Sequence, residues 1–200
     1  MSFKKLPRSR LLKHTVSAAL RWFCLPLLLS LPALARADAD TVAGPWGAQI
    51  ALGSADHNVQ KIDLGLAYNP GWSWWPIGGW HFAFQAEGHV AYWRAVDGNV
   101  NPDLVEVGVT PVLRFIRDSG AIRPFFEAGV GVRAITHPYI ASDYTLSTAF
   151  QFADMVGVGA QFGARQQYQA GFRFQHLSNA HIKEPNPGID FSQLYFQYNF

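Results

Sequence analysis

The strongest constraint on the fold is a two-residue alternation of apolar and polar side chains along the chain. In residues 80–93, one set of alternate positions is apolar or small and the other carries the polar groups; the first set is Trp80, Phe82, Phe84, Ala86, Gly88, Val90 and Tyr92. A period of two is typical of a strand that buries one face. The same alternation marks seven further segments: 46–53, 61–68, 104–115, 125–134, 150–162, 167–178 and 190–200. The pattern therefore predicts eight strands, with Asp154 as a polar residue on an otherwise apolar face.

Eight strands of this kind fit either a soluble β-sandwich or a transmembrane β-barrel, and several features favour the barrel. The segments suit the roughly 9–11 residues of a tilted transmembrane strand. The polar face carries charges that a barrel lumen accepts and a sandwich core does not, namely Glu87, Glu106, Arg114, Glu127 and Arg133. A tryptophan cluster at one strand junction suits an interfacial aromatic belt, and it consists of Trp72, Trp74, Trp75 and Trp80.

The C-terminal strand and the strand count add to this interpretation. The chain ends on alternating Leu194, Phe196, Tyr198 and Phe200, which resembles the signal by which outer-membrane barrels are recognised for assembly. The predicted fold class is therefore all-β, an eight-stranded antiparallel transmembrane β-barrel. An even number of strands places both termini in the periplasm. The outward-facing loops are then expected near 54–58, 95–103, 137–149 and 179–189.

The N-terminal region has the order of a secretory signal peptide. Residues 1–21 contain six lysines and arginines and no acidic residue, an apolar run covers 22–31, and small residues follow at Ala33, Ala35 and Ala37. This order predicts a cleaved signal peptide over 1–37 and a mature barrel over 38–200, with cleavage after Ala35 or Ala37 left open.

Removal of residues 1–37 changes the charge of the protein. Seven of the 16 basic residues leave with this segment, so that nine remain against 14 acidic residues and the formal net charge falls from +2 to −5. No excess of basic residues remains to attract nucleic acid. The single cysteine, Cys24, also leaves, which excludes a disulfide framework and a thiolate metal site. We expect no cofactor and no metal.

Three polar residues continue apolar stripes at the outer end of the last two strands. The apolar parity of 167–178 runs on to His176 and Ser178, and that of 190–200 runs back to Asp190. If the hairpin is symmetric about Lys183, His176 faces Asp190, with Cβ atoms about 4.5–5.5 Å apart. A serine nucleophile needs an adjacent base, and the imidazole needs a partner that fixes its tautomer. The spacing suits a nucleophilic triad. The same polar residues would also occur if the strand has simply reached the lipid headgroups, and Ser192 is a competing hydroxyl.

One C-terminal stretch resembles the signature of a known family. The run His176-Leu-Ser178-Asn179-Ala180, followed by Pro185-Asn186-Pro-Gly188-Ile-Asp190, is similar over about 15 residues to the lipid A 3-O-deacylases, PagL. The resemblance implies an outer-membrane barrel of a Gram-negative bacterium, with its active site on the lipid-facing surface towards the outer leaflet. It implies Ser178 as nucleophile, His176 as general base and acid and Asp190 as orienting carboxylate. Asn179, Ala180 and Asn186, with backbone N–H groups after Ser178, are then candidates for substrate positioning or the oxyanion hole.

The implied reaction is hydrolysis of the ester-linked 3-hydroxyacyl chain at the 3-position of lipid A, which makes lipopolysaccharide the expected partner and leaves homodimerisation open. Two positions depart from a well-known member of this family, which has Glu at the position of Asp190 and Gly at the position of His181. A shorter carboxylate can still serve as the third member of a triad. Two rival functions remain: a non-catalytic barrel, and a phospholipase-type barrel with the same triad.

Overall fold

The computed structural model describes residues 43–95, 103–141 and 143–200, and almost all of these residues belong to β-strands or to short connections between them. The predicted signal peptide over 1–37 lies outside the described residues, and so does most of the predicted loop 95–103. In chain order the strands are β1 (Trp46–Ala55), β2 (Val59–Tyr68), β3 (Ser73–Ile77), β4 (Trp80–Ala95), β5 (Asp103–Arg117), β6 (Ile122–Ile135), β7 (Tyr139–Ala141), β8 (Tyr144–Thr145), β9 (Phe150–Phe162), β10 (Tyr168–Ser178) and β11 (Ile189–Asn199). Among the described residues, no helix has the length and apolarity needed to cross a membrane.

Eight long strands close into an antiparallel barrel in the order β1, β2, β4, β5, β6, β9, β10, β11 and back to β1. Closure is visible at Ile50 of β1, which faces Leu64 on β2 and Phe196 on β11. A closed sheet has no free edge, so each of the eight long strands finds backbone partners on both sides. The predicted fold class, an eight-stranded antiparallel transmembrane β-barrel, is confirmed.

The three short strands are absent from the sequence prediction. Strand β3 pairs with the first residues of β4, with Trp74 opposite Phe82. Strands β7 and β8 form a small hairpin in which Tyr139 pairs with Thr145. This hairpin lies in the connection between β6 and β9, where the sequence predicts only a loop over 137–149. The structured connection matters because it packs against the candidate site.

The inward face of the barrel carries a paired network of buried charges. Arg173 donates to Glu87 at 2.8 Å and to Glu127 at 2.6 Å, while Glu106 accepts from Arg133 at 2.6 Å and from Lys61. Buried charges are tolerated in proteins when they are paired in this way. These lumen charges therefore have a structural explanation, in agreement with the parity of the sequence.

Both described chain ends lie at one end of the barrel, which we call the terminal end; the opposite end, which carries the β1–β2, β4–β5, β6–β9 and β10–β11 connections, is the loop end. The predicted tryptophan belt is at the terminal end, where Trp80 stacks on Phe115 with ring centroids 5.2 Å apart. At the loop end an apolar cluster fills the lumen and includes Trp93, Leu146, Leu177 and Phe191. This apolar cluster supports the connections that surround the candidate site.

Candidate active site

A histidine and an aspartate form a close pair on the outer wall at the loop end. His176 on β10 is the direct cross-strand partner of Asp190 on β11. The His176 Nδ1 and Asp190 Oδ1 atoms are 2.6 Å apart, and the two side chains are 41% and 48% exposed. The register predicted from a hairpin symmetric about Lys183 is thus confirmed. The pair leaves Nε2 of His176 as the ring nitrogen available for proton transfer.

Ser178 follows on the same face of the same strand. It is the last residue of β10, lies opposite Phe152 of β9 and is half-buried. Because side chains alternate across a strand, residues 176 and 178 point to the same side of the sheet. No hydrogen bond to the Ser178 hydroxyl is present within the described ranges. Hydrogen bonds between a nucleophile and its base commonly tighten only when substrate is bound.

The competing hydroxyl, Ser192, lies on the opposite side of the His176–Asp190 pair. It pairs with Phe174 on β10 and with Ser54 on β1, one outward-facing position further from the loop end. Both serines therefore flank the histidine, Ser178 nearer the loops and Ser192 nearer the apolar wall. This geometry makes Ser192 the natural control for any test of Ser178.

A second carboxylate faces the histidine from the other side. Asp154 on β9 is the direct cross-strand partner of His176, and it is exposed on the outer wall. Within the described residues it forms no ion pair or hydrogen bond. A lone ionisable group on a lipid-facing strand is costly and usually marks function. Asp154 is recognisable in the sequence because it breaks the apolar parity of its strand. The alternation alone does not identify the residue that Asp154 faces.

The segment between β10 and β11, residues 179–188, is held together by its two asparagines. Asn179 is fully buried, and its side-chain amide donates to the carbonyls of Leu146 at 3.0 Å and Lys183 at 2.8 Å. Its backbone N–H donates to Asn186 Oδ1 at 3.0 Å. The Asn179 side chain is therefore committed inside the loop. The amide nitrogen of Asn186 donates to no acceptor among the residues that the structure describes.

The two residues after Asn179 have left-handed backbone conformations. Ala180 has a φ of 52° and His181 a φ of 62°. Within the described chain, the N–H of Ala180 has no hydrogen-bond acceptor. It is thus a second free donor close to Ser178. His181 is exposed and its Nδ1 lies 2.7 Å from Glu184 Oε1; this hydrogen bond lowers the pKa of the Glu184 carboxyl.

The backbone of Gly188 lies directly beneath the imidazole of His176. Gly188 has a φ of 69°, a conformation that glycine adopts without penalty. A Cβ atom at this position would lie 2.5 Å from Cε1 and 3.1 Å from Nε2 of His176. The absence of a side chain at Gly188 therefore lets the histidine ring occupy its position against Asp190.

A shallow apolar groove begins at the histidine and runs along the outer wall towards the terminal end. Its volume is about 550 Å³, and it starts between Asp154 and His176. Further along, the groove is lined by Phe174, Val156, Val130, Ala128, Leu113 and Phe84. A second cavity of about 410 Å³ lies at the terminal end beside His81 and Arg123, away from the histidine. In the described ranges, no group of three or more His, Cys, Asp or Glu side chains is arranged to hold a metal ion.

Comparison with known proteins identifies one family that this chain resembles. The sequence model of the family described as Lipid A 3-O-deacylase (PagL) matches residues 60–199. A protein of Pseudomonas aeruginosa named Lipid A deacylase PagL is 30% identical over 172 residues, which are 85% of this chain and 96% of that protein. A protein of the same name from Bordetella bronchiseptica is 34% identical over 170 residues, which are 84% of this chain and 91% of that protein.

A solved structure shares the whole barrel. The crystal structure of the outer membrane enzyme PagL superimposes with a TM-score of 0.71 at 27% identity, and the match covers 77% of this chain and 99% of that chain. The barrel described above is accordingly an outer-membrane barrel of the Gram-negative type, as the sequence predicts. With a family match over 60–199 and relatives at 30% and 34% identity, the chain belongs to the PagL family of lipid A 3-O-deacylases.

Proposed function

We propose that the protein is a serine esterase that removes the ester-linked 3-hydroxyacyl chain at the 3-position of lipid A. The observation that carries the proposal is the His176–Asp190 pair, at 2.6 Å on the outer wall, with Ser178 on the same strand face. The relatives named lipid A deacylases support the substrate class.

In the proposed mechanism, Ser178 attacks the ester carbonyl and passes its proton to Nε2 of His176. Asp190, bonded to Nδ1, keeps the ring in the tautomer that exposes Nε2 as a base and stabilises the imidazolium that forms. His176 then protonates the departing sugar oxygen, which leaves an acyl-enzyme on Ser178. A water molecule activated by His176 hydrolyses this intermediate and releases a 3-hydroxy fatty acid.

The negative charge on the carbonyl oxygen requires fixed donors. Among the described residues, the amide hydrogens of Asn186 and the N–H of Ala180 have no other acceptor, and both groups belong to the loop that follows Ser178. Donors that are already oriented stabilise such a charge by several kcal/mol, about 2.7–4 for one donor in a well-studied protease. Asn179 contributes by a different route, because its buried side chain holds the loop that carries Ala180 and Asn186.

The groove gives the acyl chain a place on the protein surface. It leads from His176 along an apolar wall towards the middle of the membrane, as the acyl chain of an outer-leaflet lipid does. The sugar would then stay at the loop end, among the polar residues, with the scissile ester between the two regions. Because the site is on the outer wall, the substrate reaches it by lateral diffusion and does not have to leave the membrane.

The test is mass spectrometry of lipid A from cells that express the wild type, Ser178→Ala or Ser192→Ala, with the amount of folded barrel measured in each. We expect loss of one 3-hydroxyacyl mass with the wild type and with Ser192→Ala, and none with Ser178→Ala. Activity that persists in Ser178→Ala and disappears in Ser192→Ala would identify Ser192 as the nucleophile. Structural analysis of the product then decides whether the acyl chain leaves the 3-position.

The phospholipase alternative is separated by substrate. Purified protein in detergent is offered lipid A and a glycerophospholipid with acyl chains of matched length. Release of fatty acid from lipid A alone supports the proposal. Release from the glycerophospholipid at an equal or greater rate would contradict it, and a barrel with no hydrolysis of either lipid would leave the non-catalytic function.

A further inference from the structure

The connection between β6 and β9, residues 136–149, holds the loop that follows Ser178 through three contacts. The hydroxyl of Tyr144 donates to the carbonyl of Gly188, and the hydroxyl of Ser147 donates to the carbonyl of Pro185 at 2.7 Å. The carbonyl of Leu146 accepts from the buried amide of Asn179 at 3.0 Å. The three contacts reach the start, the middle and the end of the 179–188 loop.

The supporting connection is itself firmly anchored. Leu146 has no exposed surface and belongs to the apolar cluster that fills the lumen at the loop end, together with Leu177 and Ile189. On its other side Tyr144 packs against His57 in the β1–β2 turn, with ring centroids 4.2 Å apart. Tyr144 is therefore held by neighbours that do not belong to the candidate site.

The contact between Tyr144 and Gly188 reaches the proposed triad through one residue. The backbone of Gly188 lies against the imidazole of His176, since a Cβ atom at this position would lie only 2.5 Å from Cε1. Two residues further on, Asp190 forms the 2.6 Å bond to the same imidazole. A movement of Gly188 would therefore disturb both the surface that supports the ring and the start of the strand that carries its carboxylate.

We propose that Tyr144 is a positioning residue, whose hydroxyl fixes Gly188 so that His176 and Asp190 stay in register for the reaction proposed above. The residue acts through Gly188 and does not belong to the triad. Burial, together with the negative charges of Asp56 and Asp190, raises the pKa of Tyr144 to about 12. The phenol therefore remains a hydrogen-bond donor throughout the pH range in which an enzyme of this kind is assayed.

The test compares Tyr144→Phe with Tyr139→Phe in the purified barrel, with lipid A as substrate. Both substitutions remove one hydroxyl from the same hairpin, but Tyr139 is 58% exposed and its hydroxyl has no partner among the described residues. We expect Tyr144→Phe to lower kcat between about threefold and tenfold, the scale of one neutral hydrogen bond. KM and the thermal unfolding temperature should stay at the wild-type values, and Tyr139→Phe should match the wild type throughout.

A second measurement does not depend on activity. Hydrogen–deuterium exchange of the peptide that contains residues 185–190 should be faster in Tyr144→Phe than in the wild type and Tyr139→Phe. Wild-type kcat and exchange in Tyr144→Phe would overturn the inference, and so would an equal loss of kcat in Tyr139→Phe. Ser178→Ala is assayed alongside: full activity in that variant would refute the proposed function, while the exchange result would still decide whether Tyr144 fixes Gly188.

Discussion

Substitution of Gly188 by alanine is expected to disable the site without unfolding the barrel. The added methyl group would lie 2.5 Å from Cε1 and 3.1 Å from Nε2 of His176. Favourable contacts between carbon atoms lie near 3.5–4.0 Å. The imidazole must therefore retreat by about 1 Å, because the added methyl group is bonded directly to the backbone and cannot rotate away.

A displacement of that size acts on the hydrogen bond between two members of the proposed triad. The bond between His176 Nδ1 and Asp190 Oδ1 is 2.6 Å long, and an added ~1 Å takes it beyond a useful hydrogen-bond distance. A misplacement of about 1 Å in a catalytic group costs on the order of 10²-fold in rate. We therefore expect kcat on lipid A to fall by at least about 10²-fold in Gly188→Ala.

The control must carry the same backbone penalty without the contact. Gly71 has a φ of 76°, close to the 69° of Gly188, and a Cβ at Gly71 would meet nothing within 4 Å. Alanine in a left-handed conformation costs about 1–2 kcal/mol in both variants, so Gly71→Ala should lose similar stability and keep its activity. The assay measures the initial rate at which 3-hydroxy fatty acid is released. Folding of each variant is checked by the heat-modifiable mobility of the barrel in gel electrophoresis. A folded Gly188→Ala barrel with wild-type kcat would refute the reasoning.

Three further predictions concern the carboxylates and the groove. Asp190→Asn should lower kcat by about 10⁴-fold, because an amide can hold the imidazole in the wrong tautomer and cannot stabilise the imidazolium. The kcat of this variant is measured beside that of Ser178→Ala, and a loss below tenfold would contradict the prediction. Asp154→Asn should lower kcat by less than about tenfold, since Asp154 faces His176 without a hydrogen bond; a loss as large as that of Asp190→Asn would reverse the roles of the two carboxylates. Ala128→Phe should narrow the groove and shift the ratio of kcat/KM towards shorter acyl chains by about tenfold, the discrimination that one methylene group gives in an apolar pocket. Competition between lipid A species of different chain length measures the ratio, and an unchanged ratio would place the acyl chain elsewhere.

The barrel was predictable because its determinants are local in sequence. Each long strand is recognisable from its own alternation of apolar and polar residues. The even number of strands and the charged inward face then favour a closed transmembrane barrel over other all-β architectures. The pairing of His176 with Asp190 was predictable for the same reason, since the two strands are joined by a short connection and one symmetric register fixes the partner. The parity of the strand then places both side chains on the outer wall.

Contacts between elements distant in sequence were not predictable in this way. Tyr144 lies 44 residues before Gly188 and reaches it only because the β6–β9 connection folds into a hairpin. Alternation carries no information about loops. Asn179 combines a predictable and an unpredictable feature. The strand alternation after Ser178 predicts that its side chain faces inward, but its two carbonyl partners depend on the conformations of two loops.

The placement of the site on the outer wall follows from how a closed barrel divides its side chains. Backbone hydrogen bonds close the sheet, and the inward side chains form the charged network and the apolar cluster at the loop end. The outward side chains therefore need only suit the membrane, so polar residues at one end of a strand leave the barrel core intact. On β10 the outward residues change from Phe174 to His176 and Ser178, whereas on β4 they stay apolar or aromatic as far as Tyr92. The proposed triad thus lies where the outward residues of β10 and β11 change from apolar to polar. A lipid whose ester lies between a polar sugar and an apolar chain would meet Ser178 at that boundary, with its acyl chain directed into the groove below.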